Sequence, residues 1–168
     1  MSPVPSDAEA ILADELLAEI RTAFPLVEMP SRRDLRFHPD DCLQCDLISQ
    51  YLDEHRNGTI DGAVIRYMCI EMTCLSAMGW SWALPHYLPH CLTAEAEYNQ
   101  SEIEYLVYNL GTSDEYKSDT KERLSGLSKQ QIMCLKHFLS WLSRHPKWRD
   151  YFPEDIARAM QMMNELAV

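Results

Sequence analysis

Residues that could bind a metal are concentrated between positions 38 and 45, where the chain reads His-Pro-Asp-Asp-Cys-Leu-Gln-Cys. Thiolate and imidazole are ligands that zinc takes, and a Cys-x-x-Cys step lets both sulfurs reach one ion. His38, Cys42 and Cys45 therefore form a candidate zinc site with three ligands. A structural zinc site needs four ligands, so one more must come from elsewhere in the chain.

The sequence offers three candidates for the fourth ligand, which are His86, His90 and Cys91. His86 and His90 have the spacing of paired ligands on a helix, but Pro89 divides them. If no metal binds, His38 helps to cap the following helix, and the two cysteines pack or face solvent. We therefore expect no cofactor. The alternative is a small zinc-binding protein centred on His38, Cys42 and Cys45, with His90 as a further candidate ligand.

No other pattern in the sequence indicates catalysis. Cys134 and His137 share a face of a predicted helix, but Cys134 stands beside Leu135 and Phe138 and is better explained as a core cysteine. The chain has no glycine-rich phosphate loop, no Gly-x-Ser-x-Gly and no His-Glu-x-x-His. A redox Cys-x-x-Cys would follow a β-strand, and none is predicted there. We therefore predict that the protein is not an enzyme.

Negative charge and tyrosine are concentrated together between residues 93 and 122. This segment carries eight acidic side chains against two lysines, a net charge of −6 out of −11 for the whole chain, and it holds four tyrosines. Aromatic side chains anchor interfaces and charges steer association, so the pattern is typical of a surface for a basic partner. The alternative is a solvated face whose tyrosines belong partly to the core. The predicted partner-binding residues are Glu95, Glu97, Tyr98, Glu102, Asp114, Glu115 and Tyr116.

The overall composition excludes several other classes of binding. A net charge of −11 argues against nucleic acids and anionic membranes, which are bound by clustered lysine and arginine. The N-terminal sequence MSPVPSDAEA lacks the cationic and apolar regions of a secretory signal. No uninterrupted apolar stretch approaches the roughly 20 residues that a membrane span requires. We therefore expect a cytoplasmic protein with reduced cysteines.

Apolar residues recur at helical spacing along most of the chain, which predicts an all-α fold. We expect a flexible tail over residues 1–6 and a single compact domain of six to eight helices over residues 7–168. The stretch 63–92 is the most apolar and is predicted to lie at the centre. The predicted core contains Trp80, Trp82, Leu84, Leu135, Phe138 and Leu139.

Capping and breaking residues predict the helix boundaries. Helices are expected at 7–24, from Asp40 or Asp41 to Asn57-Gly58, at 61–78 before Gly79, from Ser81 until Pro89 breaks it, at 101–110, from Ser128 until Pro146 ends it, and at 153–166. Capping boxes are predicted at Ser101-x-x-Glu104 and Ser128-x-x-Gln131. Residues 112–125 are predicted as a polar loop.

Three stretches together resemble a family of small bacterial proteins of unknown function. They are the His38…Cys42-x-x-Cys45-Asp46 step, the element Leu84-Pro85-His86-Tyr87-Leu88-Pro89, and Leu127-Ser128-Lys129-Gln130-Gln131 opening a helix with Phe138-Leu139. The resemblance covers about residues 16–142, and it implies no catalytic residues. In type, the chain is also similar to the immunity proteins that bacteria encode beside secreted toxins, which are small, acidic and cytoplasmic.

These features together predict an immunity protein that binds a cognate toxin and occludes its active site. The toxin is expected to arrive through a secretion system such as type VI, and to be a nuclease or another enzyme with a basic cleft. An acidic inhibitor would replace the phosphate backbone as the counter-charge of such a cleft.

Overall fold

The computed structural model describes residues 7–168, with side chains from Leu12 onward, and the predicted tail at residues 1–6 lies outside the described part. Ten α-helices are present in this range, and two single 3₁₀ turns, at Met72–Cys74 and Asp114–Tyr116, precede α4 and α7. The helices are α1 (Asp7–Ala23), α2 (Leu43–Glu54), α3 (Gly62–Ile70), α4 (Ala77–Cys91), α5 (Ala94–Asn99), α6 (Ser101–Leu110), α7 (Lys117–Leu124), α8 (Lys129–Arg144), α9 (Trp148–Tyr151) and α10 (Pro153–Leu166).

The predicted all-α class is confirmed, since the helices of residues 7–168 are joined without any β-strand. Eight of the helices have eight or more residues, and the remaining two, α5 and α9, are short. None of the helices in the described range has the length and apolar character needed to cross a bilayer.

The centre of the core is α4, which contacts α1, α3, α5 and α7. Ten of its fifteen residues are buried, including both tryptophans. A second group of helices is formed by α6, α8 and α10, since α10 contacts both α6 and α8. The prediction of one shared core is confirmed, since the buried cluster contains all of Trp80, Trp82, Leu84, Leu135, Phe138 and Leu139.

The predicted helix end at Gly79 is wrong, because Gly79 is the third residue of α4. The helix begins after Ser76, whose Oγ accepts a hydrogen bond from the Gly79 N–H at 3.1 Å. A Cβ at position 79 would lie 3.1 Å from the carbonyl oxygen of Leu35 and 3.0 Å from the Cβ of Leu75. The missing side chain at Gly79 thus lets the loop around Leu35 approach α4. Gly79 does not terminate the helix.

The predicted break at Pro89 is also wrong, since α4 continues through Pro85 and Pro89 to Cys91. A proline inside a helix costs about 3 kcal/mol, because it removes a hydrogen bond and crowds the preceding turn. Burying one large apolar side chain contributes about 1.5–3 kcal/mol. Trp80, Leu84 and Tyr87 are all 1% exposed or less, so packing of this helix outweighs the local cost.

The remaining boundaries divide into confirmed and corrected predictions. The capping box of Ser128 and Gln131 is present at the start of α8, and α10 begins at Pro153 and ends at Leu166 as predicted. The second helix begins later than predicted, after Cys42. Residues 117–124 of the predicted polar loop form α7.

The predicted capping box at Ser101 is not formed, although α6 has the predicted bounds. Ser101 is already the first helical residue, and Gln100 occupies the capping position with a φ of 68°. Its side chain makes no capping hydrogen bond, but its carbonyl oxygen accepts from the N–H groups of Ile103 and Glu104 at 3.1 and 3.0 Å. Backbone geometry therefore starts this helix where a side chain was expected to do so.

We expect Phe138→Ala to lower the free energy of unfolding by about 2–5 kcal/mol, because it removes buried apolar surface and leaves a cavity. Phe138 is fully buried, whereas Met133 on the same helix is 45% exposed. Met133→Ala is the matched control and should change stability by less than about 1 kcal/mol. Denaturant unfolding measures both values, and equal effects of the two changes would contradict this packing.

Candidate functional site

Four exposed tyrosines and four carboxylates follow one another along α5, α6 and the 3₁₀ turn after α6. We call this set the acidic tyrosine surface, and it consists of Glu97, Tyr98, Glu104, Tyr105, Tyr108, Asp114, Glu115 and Tyr116. On α6 the exposed positions 104, 105 and 108 form one stripe, while 102, 103, 106 and 107 are buried. The amphipathic pattern of α6 therefore turns its tyrosines outward.

The tyrosines of the acidic tyrosine surface lie on the outside of the protein and not in its core. Tyr98 is 85% exposed, and Tyr105, Tyr108 and Tyr116 are 40–48% exposed. More than half of the surface of Tyr105, Tyr108 and Tyr116 is buried, as the alternative of a solvated face with partly buried tyrosines also expects. Exposed tyrosine next to carboxylate is the combination that suits an interface with a basic protein.

The angle between α5 and α6 is set at one residue, Gln100. Its positive φ places the backbone in a region that residues other than glycine seldom adopt. The Gln100 N–H donates to the Ala96 carbonyl at 2.8 Å, so the corner is hydrogen-bonded to both helices. At the other end of α5, the Thr93 Oγ1 accepts the Ala96 N–H at 3.2 Å. Tyr98 is thereby held in a fixed relation to the tyrosines of α6.

Glu102, which was predicted to contact a partner, is fully buried, and that prediction is corrected. One of its oxygens lies 3.1 Å from His90 Nε2, and the other accepts from the Ser101 hydroxyl at 3.1 Å. Its backbone carbonyl accepts a hydrogen bond from the buried Tyr87 hydroxyl. The carboxylate thus joins α6 to α4 inside the protein and presents no atom to the surface.

Arg66 of α3 connects the buried Glu102 with the exposed Glu95. Its Nη2 donates to Glu95 at 2.6 Å, while its Nε lies 3.3 Å from Glu102 in an ion pair without hydrogen-bond geometry. The hydrogen bond that Arg66 donates to Glu95 raises the pKa of Arg66. Glu95 therefore lies at the surface as predicted, but its charge is already compensated within the protein.

The same network sets the ionisation of Glu102. Burial raises the pKa of this carboxyl group, but the hydrogen bonds from His90, the backbone and Ser101, together with the charge of Arg66, outweigh burial. The net result is a pKa below the ordinary value, so the ionised form is favoured. An ionised carboxylate inside the protein therefore holds α3, α4 and α6 together.

The candidate metal ligands His38, Cys42 and Cys45 converge in the structure. Their ligand atoms all lie within 4.8 Å of one another, and His38 Nδ1 is 3.3 Å from Cys45 Sγ. Cys42 is the N-cap of α2, and its Sγ accepts the Cys45 N–H at 3.4 Å. His38 is exposed and Cys45 is buried, so the cluster spans the edge of the protein.

The two cysteines of the cluster differ in their ionisation. Hydrogen bonds from the Cys45 side chain and the Cys45 backbone lower the pKa of the Cys42 thiol. Burial raises the pKa of Cys45. The half-buried sulfur at the helix N-terminus is therefore the more readily ionised of the pair.

The ligands proposed from α4 do not join this cluster, and the assignment of His90 is corrected. His90 is buried and its Nε2 bonds Glu102. Cys91 is buried, which raises its pKa well above the ordinary value. Burial lowers the pKa of His86, and the ring of this residue lies against Trp82. These side chains belong to the interior around α4.

The predicted assignment of Cys134 as a core cysteine is confirmed. Cys134 is fully buried, and burial raises the pKa of its thiol to about 12. His137 is hydrogen-bonded through Nδ1 to Glu19 at 2.7 Å.

A groove of about 410 Å³ lies beside the acidic end of the candidate surface. It runs between the 3₁₀ turn with α7 and the last helix, and it is lined by Thr112, Ser113, Asp114, Lys117, Arg158, Gln161, Met162 and Glu165. Lys117 and Lys121 both bind Glu165 here, at 2.8 and 3.1 Å. The two lysines of the acidic segment are thus engaged by α10.

Sequence reasoning missed Arg66 as a member of the Glu102 network and Cys74 as a neighbour of Cys45. Arg66 is one of only two charged side chains in the apolar stretch 63–92, and this was the signal that it has a buried partner. Cys74 lies 29 residues after Cys45 and has no local motif.

No protein-family model, curated protein or solved structure matches the chain. The resemblance to a bacterial family of unknown function therefore stays a prediction.

We expect Glu102→Gln to lower the free energy of unfolding by about 1–3 kcal/mol at neutral pH, because it leaves Arg66 and His90 without a buried negative partner. Glu95→Gln removes the exposed partner of the same arginine and should cost less than about 1 kcal/mol. Denaturant unfolding at several pH values measures both.

The pH dependence follows from the lowered pKa of Glu102. The contribution of ionised Glu102 to the free energy of unfolding is complete above the ordinary glutamate pKa of about 4.3. It is lost as the pH falls through the lower pKa that Glu102 has in the folded protein. The stability difference between the wild type and Glu102→Gln should therefore shrink below about pH 4. A difference that stays constant through this range would contradict the assignment.

Proposed function

We propose that the protein binds and neutralises a secreted bacterial toxin in the cytoplasm, as an immunity protein against an effector delivered by a system such as type VI. The observation that supports this most directly is the acidic tyrosine surface, where four exposed tyrosines alternate with carboxylates. In this proposal the partner carries a basic active-site cleft, and the immunity protein occludes it.

Charge on this surface is available for a partner because its carboxylates form no salt bridge within residues 12–168, although the pKa of Lys117 is raised by Glu165 and, to a smaller extent, by Asp114. Among residues 12–168, no salt bridge involves Glu97, Glu104, Asp114 or Glu115, whereas Glu95 and Glu102 are paired with Arg66. Lys117 and Lys121 are both directed to Glu165. Exposed carboxylates without internal counter-ions accelerate association with a basic partner.

The tyrosines supply the anchoring contacts that charge alone cannot supply. A tyrosine has a large contact area and few rotatable bonds, and such side chains dominate binding energy at interfaces. Tyr98 stands out from the end of α5, and Tyr116 lies in the turn next to the groove. A basic side chain of the partner could enter this groove beside Asp114. The carboxylates would then occupy the positions that substrate phosphates take in the cleft of a nuclease.

We expect the double change Glu97→Lys and Glu115→Lys to slow association with the toxin encoded by the adjacent gene about tenfold or more at low ionic strength. The effect should diminish in high salt, because salt screens exposed charges. The control is Glu28→Lys, an exposed carboxylate outside the acidic tyrosine surface. Surface-binding kinetics at two ionic strengths measure the rates. Equal effects of the two variants would place the interface elsewhere.

Replacing an anchoring tyrosine should change the dissociation rate and not the association rate. We expect Tyr98→Ala to cost about 2 kcal/mol of binding, which is roughly a 30-fold faster dissociation, with little change in the association rate. Because Tyr98 is 85% exposed, the melting temperature should stay at the wild-type value. Co-expression with the toxin tests survival in parallel. Absence of any binding between the wild-type protein and that toxin would refute the immunity function.

A further inference from the structure

A second thiol-bearing segment lies against the His38, Cys42 and Cys45 cluster. The loop before α2 forms a short antiparallel bridge with the segment before α4, pairing Arg36 with Leu75. Its hydrogen bonds run from the Phe37 N–H to the Cys74 carbonyl at 2.9 Å and from the Ser76 N–H to the Leu35 carbonyl at 2.8 Å. Cys74 is thereby placed beside the first turn of α2, although it is 29 residues away from Cys45 in sequence.

Cys74 contacts Cys45 of the cluster through its backbone. The Cys45 thiol donates to the Cys74 carbonyl at 3.6 Å, and the Cys74 thiol itself donates to Glu71 Oε2 at 3.9 Å. Cys74 stands outside the group of three whose ligand atoms all lie within 4.8 Å. Its sulfur therefore has to move closer to the other three ligand atoms before all four can hold one ion.

We propose that His38, Cys42, Cys45 and Cys74 form a Cys₃His zinc site that ties the loop before α2 to the segment before α4. Three thiolates and one imidazole in a closed four-ligand set are typical of structural zinc. Tetrahedral coordination at ordinary zinc–ligand lengths separates the ligand atoms by about 3.5–3.8 Å. The 3.3 Å between His38 and Cys45 is close to that spacing. This inference does not depend on the proposed function.

The surroundings hold the ligands from several directions. Arg36 donates from Nε to the His38 carbonyl at 3.3 Å and also pairs with Asp46 on α2, which fixes the loop against the helix. Asp41, with a φ of 52°, turns the chain back into the start of α2. The Cys42 sulfur already accepts an N–H bond, as thiolate ligands do in zinc sites. Such contacts orient ligands around a metal.

A buried cation beside the cluster matches the charge that a zinc site would carry. Three thiolates and one divalent ion leave a net charge of −1. Arg123 is 6% exposed, its Nε donates to the Thr73 carbonyl at 3.0 Å, and its guanidinium lies 4.1 Å from the centre of the Phe37 ring. Burial lowers the pKa of Arg123, while the charges of Asp119, Cys74 and Glu122 raise it. An anionic zinc site would add one more negative charge beside a guanidinium that already interacts with Asp119 and Glu122.

The first experiment uses the full-length wild-type protein, freed of metal with a chelator under reducing conditions and titrated with Co²⁺ and then Zn²⁺. We expect one equivalent of Co²⁺ to bind with the visible absorption of a tetrahedral thiolate site, and Zn²⁺ to displace it. X-ray absorption of the zinc form should show three sulfur ligands and one nitrogen ligand. Failure to bind either ion at micromolar concentration would overturn the site, and two sulfur ligands would overturn the assignment of Cys74.

The second experiment separates ligands from other cysteines. Cys74→Ala and His38→Ala should each weaken Zn²⁺ binding by about 100-fold or more, because each removes one of four ligands. The matched control is Cys134→Ala, which removes a buried thiol far from the cluster in the chain and should leave the affinity unchanged. His38 is exposed, so its variant is expected to fold. An unchanged Zn²⁺ affinity of Cys74→Ala contradicts the proposal. If that variant does not fold, the number of sulfur ligands in the X-ray absorption spectrum of the wild type decides whether Cys74 is a ligand.

Discussion

Burial of α4 is the constraint on which the rest of the fold depends. The helix carries two internal prolines, so it cannot be stable through its own hydrogen bonds, and it persists because its neighbours cover most of its surface. The approach of the Leu35 loop to Gly79 belongs to the same packing. That approach also aligns the loop with the segment before α4. The cluster of His38, Cys42 and Cys45 lies next to this pairing of the two segments.

The class, the core and several boundaries could be predicted from the sequence because they depend on local patterns. The capping box at Ser128 and the proline that opens α10 are signals within one turn of the helix that they start. The prolines and glycine of α4 were misinterpreted for the opposite reason. Their usual effect is local, but here the surrounding core decides the outcome.

The candidate sites show the same division between local and distant information. The Cys-x-x-Cys step and the alternation of acid and tyrosine are visible in short stretches, and both correspond to recognisable places in the structure. The burial of Glu102 and the position of Cys74 are not visible there, because each depends on a segment far along the chain. In the sequence, a carboxylate on an amphipathic helix that binds Arg66 and His90 inside the protein cannot be distinguished from one that faces solvent.

The left-handed residue between α5 and α6 has a consequence for the entropy of recognition. A flexible linker at Gln100 would let the tyrosines of the two helices move independently, and ordering them on binding would cost about 0.5–1.5 kcal/mol for each side chain immobilised. With one residue hydrogen-bonded to both helices, the backbone part of that ordering is already complete in the free protein. In the proposed complex, a rigid partner would then bind without rearrangement of this backbone, and selectivity would depend on shape as well as on charge.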